Sequence, residues 1–406
     1  MYQAYQAQND LMWPLRTLAK ASVPMLTDAT LGLSGHASQR KLAAACEVLA
    51  LSEVTHKRPA WGIASVMVHG EGVPIVEEVA HTTPFATLRR FRKSKDFAVP
   101  QPRVLIVAPM SGHFATLLRD TVRTMLADHD VYITDWHNTR DVPLSAGRFG
   151  LDEYTEHLMD FLAVMGAGSH LMAICQPCVA ALSAVALMSE DGHAATPASL
   201  TLMAGPIDCR INPTGVNALA TSKPIEWFEK NLISSVPWRH RGMGRRVYPG
   251  FLQLTAFMSM NKERHVNAFK DFYKNLVVGD HEKAQVTRVF YEEYMAVADL
   301  SADFYLETVR LVFQEYALPR GELKFRGRTV NPAAIRRTAL LTVEGERDDI
   351  CAVGQTLAAQ DLCSGLRQYM RTHYVQPGVG HYGVFSGRRW QNHIYPVVRE
   401  VIHTST

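Results

Sequence analysis

Cys175-Gln176-Pro177-Cys178 stands between two apolar runs of different character. Residues 171–174 are long enough for a buried strand. From 179 onward Ala, Leu and Met dominate without Gly or Pro, as in a buried helix. A strand that turns at once into a helix holds the junction over the helix N-terminus, where partial positive charge favours a thiolate. Three readings compete. In the first, Cys175 is the nucleophile of a strand-to-helix elbow, with Ala173 and Pro177 where the G-x-S-x-G form has glycines. Alanine stays small where strand and helix approach, and proline is tolerated where first-turn N–H groups lack helical partners. In the second, Cys175 and Cys178 cycle as dithiol and disulfide, as in a thioredoxin-type site. In the third, both thiols merely fill a core.

Two later loops carry complementary chemistry. Asp348 follows the apolar run 338–343, and His381 follows the run 367–375, between Gly380 and Tyr382-Gly383. If these runs are parallel strands, all three groups lie beyond strand carboxyl ends, where α/β sheets bind ligands. The chain order is nucleophile, acid, base, which is the α/β-hydrolase order. Cys175 would attack an acyl carbon as thiolate. His381 would take the thiol proton and later protonate the leaving alkoxide. Asp348 would accept the other ring N–H and stabilise imidazolium. Asp349 is a near rival as the acid, and Asp208 a weaker one. Oxyanion charge needs donors already in place. The Gln176 N–H is one candidate, and the second is the N–H of Met110 or Ser111 in the loop after Ala108.

Positioning these groups requires alternating elements, and the pattern supplies them. Strands are expected at 104–108, 131–134, 171–174, 199–203, 338–343 and 367–375, with helices to 126 and at 151–165, 353–366 and 387–402. Strands at 63–69, 73–79 and 85–91 precede them as an antiparallel opening. Alternation implies right-handed crossovers and a mainly parallel sheet covered on both faces. Residues 207–330 break the alternation, with expected helices at 225–235, 250–275, 281–298 and 301–317. They are rich in aromatics and include a basic knot, 239–246, which reads as a solvated loop or an anion contact. Residues 1–58 read as two helices, the first with Tyr2, Tyr5, Leu11, Met12, Leu15 and Leu18 on one face. That face is either packed on the core or turned to a partner. The expected division is an N-terminal helical extension (1–58), an α/β-hydrolase core in two pieces (59–206 and 331–406) and a mainly helical cap or lid inserted between them (207–330).

Composition bounds the function. The 406 residues are 47% apolar and 20% charged, as in a globular protein with a sizeable core. A net charge of +3, from 42 basic and 39 acidic residues, gives no electrostatic case for nucleic acid. Six cysteines in a chain this long do not form a disulfide scaffold. No signal peptide or membrane span is expected, so the expected compartment is the cytoplasm. One Cys-x-x-Cys without a second pair is too little for a metal. No cofactor is expected.

The motifs then resemble a family. The segments 173–177 (Ala-Ile-Cys-Gln-Pro), 345–350 (Gly-Glu-Arg-Asp-Asp-Ile), 378–383 (Gly-Val-Gly-His-Tyr-Gly) and 109–113 (Pro-Met-Ser-Gly-His) are similar to those of intracellular polyhydroxyalkanoate (polyhydroxybutyrate) depolymerases. Residues 132–136 and 152–157 are similar to both these enzymes and the polyester synthases. The resemblance extends over nearly the whole chain. It implies an α/β-hydrolase with a cysteine nucleophile that cleaves ester bonds of the amorphous storage polyester to 3-hydroxybutyrate oligomers and monomers, at cytoplasmic granules. An apolar, uncharged polymer fits an aromatic cap and the absence of a basic groove. Pro177 departs from the synthase elbow, which keeps a glycine after the cysteine. A synthase-type acyltransferase using hydroxyacyl-CoA, a Cys175/Cys178 oxidoreductase and a non-catalytic granule-binding protein remain the alternatives. Whether water or CoA resolves the acyl-enzyme stays open, as do granule-associated protein partners and a homodimer joined through paired caps.

Overall fold

The structure is a computed structural model that describes residues 1–27, 36–95, 97 and 99–405. Positions 28–35 of the expected helical opening lie outside the described residues, as do 96, 98 and 406. Nine strands form the main sheet: β1 (Ser65–Val68), β2 (Glu71–Thr82), β3 (Ala86–Lys93), β4 (Arg103–Val107), β5 (Asp130–Trp136), β6 (Ser169–Ile174), β7 (Ser199–Met203), β8 (Ala339–Gly345) and β9 (Arg371–Gln376). Their spatial order is β1-β2-β3-β5-β4-β6-β7-β8-β9. The first three pair antiparallel and β3 meets β5 antiparallel; every later pairing is parallel. One exchange, β5 before β4, sets the crossover. This is an α/β-hydrolase sheet.

Local sequence explains the central strands. All of β6 and β7 is buried, as expected of central parallel strands covered on both faces; their polar members, Ser169, His170, Ser199 and Thr201, are buried too. Between them lies α5 (Cys178–Glu190), buried from Cys178 to Met188 and rich in Ala, Leu and Val, which suits an all-round buried helix. Against it packs α4 (Leu151–Met165), whose first turn holds Asp152 and Glu153 and which stops at Gly166 in positive φ. Gly205, just beyond β7, is required by contact: a Cβ there would overlap Cys178 Sγ and Cβ. Gly205→Ala should therefore destabilise the fold by about 1–3 kcal/mol through overpacking, read as a lower denaturant midpoint at unchanged slope.

Residues 207–330 are helical with short strands. Helices run at Gly215–Thr221, Ile225–Leu232, Gly250–Met260, Lys262–Val278, His281–Tyr294 and Ala302–Glu307, the last continued by a π-helical turn, Thr308–Gln314. Three expectations are corrected here. The helix expected over 250–275 breaks at Asn261, a weak helix former that adopts φ −131° and ψ 42°. The helix expected to 298 ends at Tyr294, because Val297 N–H donates to Thr55 O (2.8 Å) and Ala298 N–H to Gly112 O (2.9 Å). A three-stranded patch of Ser234–Ser235, Arg246–Tyr248 and Leu300–Ser301 was not foreseen, since two- and three-residue strands leave no period to read. The basic knot is largely used internally. Arg245 is buried and donates to the carbonyls of Val142 and Gly147 (2.9 and 2.8 Å), while Arg239 pairs with Asp10 and Arg246 with Glu229.

A further correction concerns 353–366, where a helix forms only over Ala358–Leu362. The cause is Glu344, a fully buried carboxylate at the end of β8. It accepts the N–H groups of Gly354, Thr356 and Leu357 at 2.8–3.0 Å, taking donors a helix start would have organised differently. The helix expected over 387–402 instead contains a π-helical stretch, Trp390–Ile394, before Tyr395–Thr404.

At the N-terminus, α1 (Tyr2–Thr27) and α2 (Ala37–Leu51) lie side by side. The face expected on α1 divides. Tyr2 is buried and donates to Asp299 Oδ2 (2.5 Å), and Tyr5 stacks on Phe251 at 3.8 Å between ring centroids. Leu11, Leu15 and Leu18 are exposed instead.

Candidate active site

The end of β6 turns through Cys175 with φ +67°, a left-handed conformation that costs an L-residue roughly 1–2 kcal/mol. The turn is held by Cys175 N–H donating to Met203 O (2.7 Å) and Cys178 N–H to Cys175 O (3.2 Å). Pro177 is the N-cap of α5 with φ −70°, near its fixed value, so it suits the turn in place of the glycine of the common elbow. Cys175 is partly exposed, whereas Cys178 is fully buried beneath it, with its thiol directed at Ala173 O (3.4 Å). Burial raises the Cys178 pKa far above that of an ordinary thiol. All six cysteines are free.

Asp348 and His381 meet. Asp348 Oδ2 lies 2.8 Å from His381 Nδ1, while Oδ1 accepts the N–H groups of Ile350 (2.9 Å) and Cys351 (2.8 Å). These bonds fix the carboxylate plane and use both oxygens. Asp349 is exposed and does not replace it; Asp208 is engaged by Arg210 at 2.6 and 2.8 Å. Burial alone would lower the His381 pKa. The negative charges of a Cys175 thiolate and of Asp348 outweigh it, together with hydrogen bonding to those groups, and hold the pKa well above the usual histidine value. The protonated form of His381 is therefore favoured by its surroundings.

The expected oxyanion donors are arranged differently from one another. Gln176 N–H has no acceptor among the described residues. Met110 N–H is taken by Gln176's own side chain, Oε1 at 3.2 Å. No bond from Ser111 N–H is seen among the described residues. The loop is secured from behind: Gly112 O accepts Ala298 N–H, and the buried His113 lies with Nε2 3.1 Å from Tyr294 O. The Gln176 carboxamide thus ties the elbow to the loop after β4 across the site. That link, and Glu344 behind the Asp348 loop, were missed. An acidic residue closing an apolar strand was the available signal for Glu344; nothing in the sequence pointed to the side chain of Gln176.

A cleft of about 480 Å³ opens from His381 and Tyr382, with Phe257, Met260, Phe290 and Tyr294 among its walls. A larger apolar groove of about 1150 Å³ lies between α2 and the helices Gly250–Met260 and Lys262–Val278, touching the cleft at His265 but not reaching His381, which lines the cleft. Size alone would favour the groove; chemistry favours the cleft.

Fold and cleft together define an α/β-hydrolase with a helix-rich insertion over the carboxyl edge of its sheet. Residues 204–406, half of the chain, match the family described as PHB de-polymerase C-terminus, and the chain belongs to that family. It is a hydrolase of the depolymerase kind. Solved structures with a similar path include a putative lipase from Acinetobacter baumannii AYE (13% identity, 81% of this chain and 93% of that one, TM-score 0.43). Others are 2-hydroxy-6-oxo-6-phenylhexa-2,4-dienoate hydrolase from Rhodococcus sp. strain RHA1 (13%, 82% and 99%, 0.43) and a thermophilic esterase from Thermogutta terrifontis (13%, 80% and 98%, 0.42). No curated protein sequence matches the chain. Among the described residues no helix is long and apolar enough to cross a membrane.

Proposed function

We propose that this protein hydrolyses the ester bonds of amorphous polyhydroxybutyrate or a related polyhydroxyalkanoate, releasing 3-hydroxybutyrate oligomers and monomers through a Cys175 acyl-enzyme. The observation that carries the reading is the conjunction of Cys175 in a left-handed elbow with a buried Asp348–His381 pair. The thiolate adds to the ester carbonyl; the C–O bond breaks as His381 protonates the alkoxide; water, deprotonated by His381, then releases the acid. The free Gln176 N–H would meet the developing oxyanion, and Met110 N–H would join it once the Gln176 carboxamide turns aside. An aromatic cleft suits a substrate that is apolar and uncharged along its length. The dithiol alternative is disfavoured by Cys178, whose thiol is buried and bonded away from solvent. The test is to incubate the protein with amorphous polyhydroxybutyrate, with and without CoA, and identify products by mass spectrometry. Free hydroxyacids support hydrolysis, hydroxyacyl-CoA made only with CoA supports thiolysis, and intact polymer in both arms rejects the reading.

Association with the cytoplasmic granule is part of the proposal. On α1, Leu11, Leu15, Leu18 and Met25 recur at helical spacing and are each about half or more exposed, a stripe that would bury well against a polyester surface. Since Tyr2 and Tyr5 anchor the helix, substitution is a cleaner probe than truncation. The triple change Leu11→Asp, Leu15→Asp and Leu18→Asp should reduce co-sedimentation with granules severalfold while leaving cleavage of a soluble ester unchanged. Unaltered co-sedimentation removes α1 from the account.

A further inference from the structure

The cleft that opens from His381 holds an arginine that forms no ion pair among the described residues. Arg264 lies on the helix Lys262–Val278 and lines this cleft with Phe257, Phe290 and Tyr294. It is exposed and makes no ion pair or hydrogen bond among the described residues. It shares the cleft with His381 and Tyr382, and its positive charge is felt at Tyr291, Tyr294 and Tyr382. Asp349 is the one acidic residue lining the same cleft, and it too forms no ion pair among the described residues. A guanidinium kept free against aromatic walls suits a planar carboxylate, which it can hold with two parallel hydrogen bonds.

A hydroxyacid oligomer is neutral along its ester backbone and carries one charge, the carboxylate at its acid end. When Cys175 attacks the last ester, its sulfur bonds to the acyl carbon and the C–O bond breaks. The departing alkoxide, protonated by His381, is the fragment that carries the carboxylate. We propose that Arg264 binds that terminal carboxylate, so that the protein prefers free-acid oligomers and cuts from their acid end. This inference rests on the ester-hydrolase reading above and adds to it a subsite for the leaving fragment.

The decisive comparison uses the trimer of 3-hydroxybutyrate as free acid and as methyl ester, with p-nitrophenyl butyrate as an uncharged reference. The wild-type protein should favour the free acid by about fivefold in kcat/KM, the size expected of a partly exposed ion pair, and added salt should shrink the preference. Arg264→Gln should erase it through a higher KM for the acid alone, and Arg264→Glu should reverse it. On p-nitrophenyl butyrate, which carries no carboxylate, both variants should change kcat/KM far less than on the free acid, and an unchanged circular-dichroism melting curve reports that each variant is folded. Equal rates on both trimers by the wild type, or a preference that survives in Arg264→Gln, overturn the assignment of Arg264 and leave the ester-hydrolase reading standing. A wild-type protein that cleaves neither trimer nor p-nitrophenyl butyrate overturns that reading, and the carboxylate subsite with it.

Discussion

Cys175→Ala should lower kcat on polyester and on p-nitrophenyl butyrate alike, by on the order of 10⁵-fold or more, the loss seen when a nucleophile is removed from an intact triad. KM should change far less, because the cleft walls are untouched. The residual rate would come from binding and from donors such as Gln176 N–H, which do not need the sulfur. Cys178→Ser is the control. It lies under the elbow with no path to substrate, so activity should stay within a few-fold of wild type even if stability falls. Equal losses at 175 and 178 would instead point to a dithiol cycle.

Cys175→Gly separates chemistry from strain. The residue sits at φ +67°, where a side chain costs roughly 1–2 kcal/mol and glycine almost nothing. Glycine also loses about 0.5–1 kcal/mol more backbone entropy on folding than alanine does. The balance favours the folded glycine variant by about 0.5–1 kcal/mol. Inactive Cys175→Gly should therefore unfold at a higher urea concentration than inactive Cys175→Ala. An equal or lower midpoint would mean that the elbow stores no strain. Strain at the nucleophile is the mark of a backbone shaped for exposure of one side chain rather than for stability.

Much of this site was legible in the sequence because its parts sit where apolar runs end. Residues 171–174 are a continuous hydrophobic stretch, and 199–203 and 338–343 are apolar apart from small Ser and Thr side chains, as a sheet covered on both faces allows. The strands formed there within a few residues, and the loops at their ends brought Asp348 to His381. The choice between Asp348 and Asp349 could only be weak from spacing. Coordinates distinguish them by the amides of Ile350 and Cys351, which grip Asp348 Oδ1 and turn its other oxygen to the imidazole.

What was not legible depended on single long-range contacts. Periodicity over 353–366 favoured a helix, yet a buried carboxylate ten or so residues earlier captured the amides that would have started it. The break at Asn261 follows weak local propensity that a run of neighbouring helix formers masked. In the same way Leu11, Leu15 and Leu18 resembled a core face because exposure cannot be read from hydrophobicity alone, while Tyr2 and Tyr5 proved to be the inward residues. The Gln176–Met110 bond joins two loops 66 positions apart.

Asp348 and His381 should differ in the size of their effects, and the difference tests the charge state of the site. His381→Gln removes both the partner of the thiolate and the acid for the leaving alkoxide, so a loss on the order of 10⁴-fold or more in kcat is expected. Asp348→Asn is subtler. The amide can keep the acceptor facing Ile350 and Cys351, but then directs N–H at His381 Nδ1, favouring the tautomer with its proton on Nε2. For a serine nucleophile, which must give its proton to the ring, that change costs about 10⁴-fold. If Cys175 attacks as a thiolate formed before substrate binds, no such transfer is needed, and an Nε2–H can still serve the departing alkoxide. The expected loss is accordingly smaller, on the order of 10²-fold, with the pH profile as its signature. The His381 pKa is held high by two negative charges acting against burial. Removing one lowers it, so imidazolium is lost at lower pH and the alkaline limb of kcat/KM should move toward acid. A loss near 10⁴-fold with an unmoved alkaline limb would show instead that Cys175 rests as a neutral thiol and that His381 must act first as a base.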